Sequence, residues 1–325
     1  MATDFPNGVS SYGALLPTAI GAPTQGNYWF VKPGTGNDSN SGKSPVQAFK
    51  TLAKALAAAT ANQNDVVFLM AESNTASATT DYQSTALDWN KDGVHLIGVG
   101  STTQIGQRSR ISNLSTATAI VSGLFIVSAD NCIIRNIEVF QGQGGTNPTG
   151  ASIAVSVTGQ RNHFINCQIS GIGHTELDDA TSRSLKVSGS ENTFTHCYIG
   201  LDTVIRATAQ AEVEIADSTA RTIFEDCIFN TYTSADGFLM IKYAAADRFI
   251  MLKNCVVMAV QNITSATQPA AALSASTTLN GNVIVHGTAF YGFDNVTAAD
   301  DAKVLIGSYA TAGVDAALAA GVDVA

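Results

Sequence analysis

A chain of 325 residues could hold one or two globular domains, yet only 13% of it is charged, about half the usual share, while Ala, Ser, Thr, Asn and Gly abound. Its 17 Lys and Arg against 26 Asp and Glu leave a formal net charge of −9, which argues against nucleic acid or an anionic membrane as partner. Five cysteines, an odd number, fit reduced thiols better than a disulfide framework, and no stretch reaches the roughly 18 apolar residues of a membrane helix.

In chain order, residues 1–27 scatter Phe5, Val9, Tyr12, Leu15, Leu16 and Ile20 among Pro6, Pro17 and Pro23. A solvated tail has little reason to carry so many apolar anchors, so this segment reads as an extended arm laid along a neighbouring subunit. Its start has neither the basic nor the apolar region of an export signal, and the protein is expected to stay in the cytoplasm that makes it. Residues 28–64 hold Tyr28-Trp-Phe-Val31, a glycine-rich loop from Gly34 to Gly42, Pro45, and the run Phe49-Lys-Thr-Leu-Ala-Lys-Ala-Leu56. In that loop five residues separate Gly36 from Gly42 where a phosphate-binding loop needs four, and Asp38 lacks the spaced carboxylates of a calcium loop, so it reads as a structural turn. Asp65-Val-Val-Phe-Leu-Met70 and Val94-His-Leu-Ile-Gly-Val-Gly100 follow as short apolar runs.

From Ile134 one pattern recurs: apolar, any, polar, small, any, apolar. The copies are Ile134-Arg-Asn-Ile-Glu-Val139, Phe164-Ile-Asn-Cys-Gln-Ile169, Phe194-Thr-His-Cys-Tyr-Ile199, Phe224-Glu-Asp-Cys-Ile-Phe229, Leu252-Lys-Asn-Cys-Val-Val257 and Ile284-Val-His-Gly-Thr-Ala289. Their polar members, Asn136, Asn166, His196, Asp226, Asn254 and His286, fall 30, 30, 30, 28 and 32 residues apart. A near-constant period of this size predicts a stacked solenoid, and the Ile, Val, Phe and Thr runs predict strands as its unit. The flanking apolar residues cannot share one face of a straight strand, because side chains alternate, so the chain must bend at the polar member. Asn, Asp and His tolerate positive φ, which makes them a column of corners. Ile137, Cys167, Cys197, Cys227 and Cys255 then form an inward column of small apolar residues; a line of thiols on parallel strands does not surround a metal ion. Coils of this length from Asp65 onward would number roughly nine, a rod on the order of 40 Å long. Val304 to Tyr309 reads as a last strand, with a short helix over 314–320 covering the open end.

The repeats, with the opening strand, loop and helix, resemble the right-handed parallel β-helix of the pectate-lyase-like superfamily over roughly residues 28 to 310. The resemblance implies an all-β, single-stranded right-handed solenoid with an N-terminal capping helix, made of an arm (1–27), a cap (28–64) and the β-helix with its C-terminal cap (65–325). It does not name a function, because the superfamily includes lyases, hydrolases, adhesins and virion proteins. Phe5-Pro-Asn-Gly-Val-Ser-Ser-Tyr-Gly13 is similar to the opening of structural proteins encoded near the capsid gene in tailed bacteriophages.

Two functions arise as expectations. The first is a non-catalytic virion protein, a capsid decoration or cement protein assembled in the host cytoplasm, a homotrimer bound to the major capsid protein without cofactor or metal. The second is a tailspike-type depolymerase, a glycoside hydrolase or lyase that needs two carboxylates, or a base and an Arg, on an outer face. Its candidates are Glu176, Asp178, Asp179, Glu212 and Glu214, in a polar cluster with His174, Arg183 and Asp217. The paired-aspartate and Gly-His-Gly motifs of polygalacturonases, and the calcium carboxylates and arginine of pectate lyases, are absent. Both Trp residues, Trp29 and Trp89, precede the repeats, which leaves the rest without an obvious sugar platform.

Overall fold

The computed structural model describes residues 10–11, 14–15, 26–72, 80–100, 103–106, 109–113, 123–142, 152–208, 210–216, 219–244, 247–260, 268–275, 280–298 and 304–307. Three parallel sheets of ten, eight and eight strands wind as a right-handed β-helix, each strand pairing with its counterpart in the next coil. One coil runs through His163–Ile165 in the first sheet, Gln168–Ile172 in the second and Arg183–Val187 in the third. Among the described residues eight coils carry a strand in every sheet. The first sheet extends beyond them with Tyr28–Val31 at one end and Val304–Ile306 at the other.

The bend between the first and second sheets comes from left-handed backbone. Asn136, Asn166, His196, Asp226 and Asn254 have φ between 51° and 56°. Each corner N–H reaches the carbonyl just before the next corner, as from Asn166 to Thr195 at 2.9 Å and from Asn254 to His286 at 2.8 Å, so the backbone ladder crosses the bend unbroken. The sixth corner corrects the sequence reading: His286 pairs with Lys253 inside the strand Asn282–His286, and Gly287, at φ 62°, makes the turn. Glycine enters the left-handed region without a Cβ penalty, so the bend moves one residue on and the copy aligns as Val285 to Phe290.

Inside each corner the small residue faces the core. Ile137, Cys167, Cys197, Cys227 and Cys255 are all buried, and each thiol of the last four donates to a carbonyl of the previous coil, as Cys227 Sγ does to Phe194 O at 3.3 Å. Burial pushes the Cys132 thiol up to about 12 and raises Cys197 as well, so both stay protonated. Beside this column Phe164, Phe194 and Phe224 stack with centroids 4.7 and 4.8 Å apart. That spacing is the coil rise, so register and aromatic stacking enforce each other.

A second left-handed column, absent from the sequence reading, turns the third sheet back into the first. It consists of Asn131, Arg161, Glu191, Arg221 and Arg248. Arg and Glu are poor choices for positive φ on local grounds. Here their side chains run along the stack as an ion-pair ladder, Arg161 Nε lying 2.9 Å from Glu191 Oε2 and Arg221 pairing with Glu191 from the other side. Within the wall, buried Asn162 and Asn192 continue the same bend: Asn192 Oδ1 accepts from Asn162 N at 2.9 Å, and Asn162 Oδ1 from Cys132 N at 2.8 Å.

The opening strand Tyr28–Val31 leads into the helix Leu52–Ala58, whose buried Leu52, Ala55 and Leu56 close the end of the core. The structural turn around Asp38 gains a role: its carboxylate accepts from Lys50 N, Thr51 N and Thr51 Oγ1 at 2.8 to 3.0 Å, holding the helix start. In the arm, Ala14–Leu15 pairs antiparallel with Ser10–Ser11. Phe5, Val9, Tyr12, Leu16 and Ile20 lie outside the described residues, as do Asp217 and the C-terminal 314–320 segment.

Candidate functional site

The acidic cluster comes together, but inward. After Gln168–Ile172 the chain makes a single 3-10 turn, Thr175–Leu177, in which His174 Nδ1 accepts from Glu176 N at 3.2 Å and buried Leu177 pins the insert to the wall. This turns Asp178 towards Arg206, which ends the long strand Tyr198–Arg206 one coil later. Asp178 Oδ1 accepts from Arg206 Nε at 2.9 Å and Oδ2 from Thr208 N at 2.6 Å. Arg206 Nη1 spans both oxygens of Glu212 at 3.0 and 2.9 Å, and Nη2 donates to Ser182 O at 3.1 Å. Ser184 and Thr231 hydroxyls occupy the remaining positions on Glu212. The three side chains are only 2%, 3% and 1% exposed for Arg206, Asp178 and Glu212, so this is a closed carboxylate–guanidinium–carboxylate triad within the wall.

The other members are also engaged. Arg183, equally buried, donates from Nε and Nη2 to Glu214 Oε2 at 3.0 and 2.9 Å and from Nη1 to two carbonyls. Burial pulls its guanidinium below the ordinary value, and Glu214 opposes that pull. Lys186 Nζ stands 3.6 Å from the second oxygen of Glu214. Asp179 Oδ1 caps its own turn by accepting from Thr181 N and Oγ1, both at 3.0 Å. Glu176 is exposed. General acid–base cleavage of a glycosidic bond needs two carboxyls flanking a space that admits the sugar, whereas Asp178 and Glu212 flank a guanidinium that fills the space between them. Arg206 was the missing partner, and a single Arg in a strand-like run carries no local signal that it will be buried.

Along the first corner the polar side chains line up from coil to coil, Asn136 buried and His196 exposed. Asn166 Nδ2 donates to Asn136 Oδ1 at 2.8 Å, and His196 Nε2 lies 3.7 Å from Asp226 Oδ2, its side chain 59% exposed. The segment 103–106 leaves its coil and lies across this corner: Gln104 Nε2 reaches Cys197 O at 3.3 Å and Gly106 N reaches Gln168 Oε1 at 2.6 Å. Between that segment and the wall is an open hollow of about 390 Å³. Among the described residues no group of three His, Cys, Asp or Glu is placed to hold a metal ion, and no helix is long and apolar enough to cross a membrane.

The three-sheet wall, with a left-handed corner between its first and second sheets in six successive coils, is a right-handed parallel β-helix, the fold of pectate-lyase-like proteins. Among solved structures, the chain is similar to a pectin methylesterase from Aspergillus niger, at 16% identity over 85% of this chain and 82% of that one, with a TM-score of 0.50. Pectin methylesterase PemA from Erwinia chrysanthemi aligns at 15% identity over 83% and 80%, with a TM-score of 0.51. A rhamnogalacturonan lyase aligns at 15% identity over 82% and 69%, with a TM-score of 0.53. No protein-family model matches the sequence, and no curated protein matches it. At these identities the likeness is one of fold.

Proposed function

We propose that the chain is a non-catalytic structural β-helix of a tailed-phage virion, a decoration protein that docks on the major capsid protein as a homotrimer and uses its N-terminal arm as a strap. One observation carries the non-catalytic part: three of the five candidate carboxylates, Asp178, Glu212 and Glu214, are engaged by two buried arginines, Arg183 and Arg206. The continuous backbone ladder of a β-helix also resists local opening, which suits a particle surface. The virion setting rests on the phage-like opening at Phe5 to Gly13. Mass spectrometry of purified heads tests it: the polypeptide is expected in stoichiometric amounts, and heads that contain none would refute the proposal.

A second reading, a polysaccharide-active β-helix, has a specific observation in its favour. The solved structures of similar fold are named as pectin methylesterases and a rhamnogalacturonan lyase, and as a group they support this reading better than the first. On this reading the purified chain releases reducing ends or carboxylate from host capsule or lipopolysaccharide. Activity that survives Asp178→Asn and Glu212→Gln would place the chemistry outside the buried triad. No product from any surface polysaccharide of the host would remove the reading.

A further inference from the structure

The start of the stack brings together a second set of reactive side chains, far from the acidic cluster. Asn27 precedes the opening strand, Lys43 follows the last glycine of the loop after it, and Asp65 precedes the strand Val66–Met70. Backbone contacts fix all three places. Phe30 N donates to Gly42 O at 2.9 Å, which returns the loop to the strand, and Val66 N donates to Asn27 O at 2.8 Å. Gly26 lies so close to the next coil that a Cβ there would stand 2.3 Å from Asn64 C.

Lys43 Nζ donates to Asn27 Oδ1 at 2.9 Å and stands 3.5 Å from the centroid of the Trp29 ring, so the amine is held from two sides. With a C=O bond of about 1.23 Å, Nζ lies within about 4.1 Å of Asn27 Cγ, against about 3–3.5 Å for reacting atoms poised to bond. On its other side the carboxamide meets an acid: Asn27 Nδ2 donates to Asp65 Oδ1 at 3.3 Å. Asp65 is fully buried and also accepts from Asn27 N at 2.6 Å, Thr60 N at 2.9 Å and Trp29 Nε1 at 3.0 Å. Burial works against its charge, but these bonds outweigh that and hold the carboxyl below the usual carboxylate range, which leaves it ionised at neutral pH. Burial also lowers the Lys43 ammonium from its ordinary value, against the pull of Asp65, and so eases the loss of a proton. An amine at the carbonyl and a carboxylate at the leaving nitrogen are the two groups that acyl transfer requires.

We propose that Lys43 and Asn27 join their side chains in an isopeptide bond, with Asp65 as the proton relay. Asp65 takes a proton from Nζ, and Nζ attacks Cγ. The Nζ–Cγ bond forms, the Cγ–Nδ2 bond breaks, and Asp65 returns its proton to the departing Nδ2. Nζ sheds two protons in all and Nδ2 gains two, so an ammonium and a carboxamide become one amide and one free ammonium ion. No oxidant, reductant or cofactor enters the balance. The bond closes the loop between Asn27 and Lys43 where the arm leaves the wall, so tension on the arm bypasses the opening strand. It stands apart from both functional readings.

The test is intact-mass spectrometry of the purified full chain, followed by peptide mapping. The wild type is expected to lack the mass of one ammonia, and Lys43→Arg, which keeps the positive charge at that position, to show its full mass. Trypsin should fail to cut after Lys43 and should leave a looped peptide ending at Lys50, whose fragmentation gives no backbone ions from between Asn27 and Lys43. Asp65→Asn should slow formation of the bond by about a hundredfold or more. A wild type of full mass would overturn the proposal. So would an ammonia loss that persists in Lys43→Arg or that maps to Asn7-Gly8 or Asn280-Gly281, where a succinimide forms without a lysine. A bond that forms as fast in Asp65→Asn as in the wild type would overturn the relay. Should Asp65→Asn fail to fold, Lys43→Arg decides, because its mass separates a lysine amide from every other loss of ammonia.

Discussion

Replacing Arg206 with Met examines whether the acidic cluster is structure or chemistry. Met keeps much of the length of the side chain but removes the charge and every polar contact: one hydrogen bond to Asp178, two to Glu212 and one to the Ser182 carbonyl. Two carboxylates, 3% and 1% exposed, then face each other without the guanidinium between them. Adding the four bonds at face value would overstate the loss, because the folded chain relaxes and a proton or water can enter. Breaking a buried ion pair by removing one partner costs about 3–5 kcal/mol, and that is the expected destabilisation. A solenoid need not unfold in one step, so the measurement is hydrogen exchange over residues 172–186 and 198–215, alongside denaturant unfolding. Acid should partly rescue the variant, because stranded carboxylates bind protons more readily in the folded wall than in the open chain, so the deficit shrinks as pH falls. The triple variant Asp178→Asn, Glu212→Gln, Arg206→Met should recover most of the loss. A single Arg206→Met variant within about 1 kcal/mol of the wild type, the range of an exposed pair, would refute the reasoning.

Other parts of the wall give further expected outcomes. Gly287→Ala should cost about 1–2 kcal/mol, because the new Cβ must occupy left-handed backbone and would stand 2.5 Å from Asn254 Oδ1; an unchanged denaturation midpoint would contradict the role given to that turn. Burial pushes the Asp81 carboxyl up to about 6 where it meets Leu52 N, Gln83 and the field of Asp38. A folded value raised above the unfolded one means that its stabilising contribution is complete below about pH 4 and is lost as pH rises through about 6, at most roughly 3 kcal/mol in all. Exchange protection of the helix Leu52–Ala58 should therefore be higher at pH 4.5 than at pH 7 by this route, and Asp81→Asn should flatten the difference. Phe194→Ala should remove about 3–5 kcal/mol by opening the aromatic stack on both sides, measured by denaturant unfolding; a loss below about 1 kcal/mol would mean that the neighbouring rings close the gap.

The architecture was legible because it is written as a period. Ile, Val and Phe at fixed offsets from a polar residue every 30 or so positions can be stacked as parallel strands in one way only, and the small residue after each bend must then face inward. The acid cluster was legible as a cluster but not as an arrangement. His174, Glu176, Asp178 and Asp179 are close in sequence, yet whether they face solvent depends on Leu177 anchoring the insert and on Arg206, which is 28 residues beyond Asp178. The hollow was hidden for a similar reason: Gln104 lies across a coil whose Cys197 is 93 residues away.

Sequence alone therefore determined the strand unit, the coil period, the first column of bends and the chain's low charge, since each depends on neighbours within one copy of the repeat. Only the tertiary structure decided that Gly287 rather than His286 makes the sixth bend, that Arg161, Glu191 and Arg221 line a second one, and that two carboxylates close on Arg206. These features depend on register and burial between residues a coil or more apart. There, hydrogen bonds to the next coil and the cost of stranding a charge outweigh what any residue prefers locally.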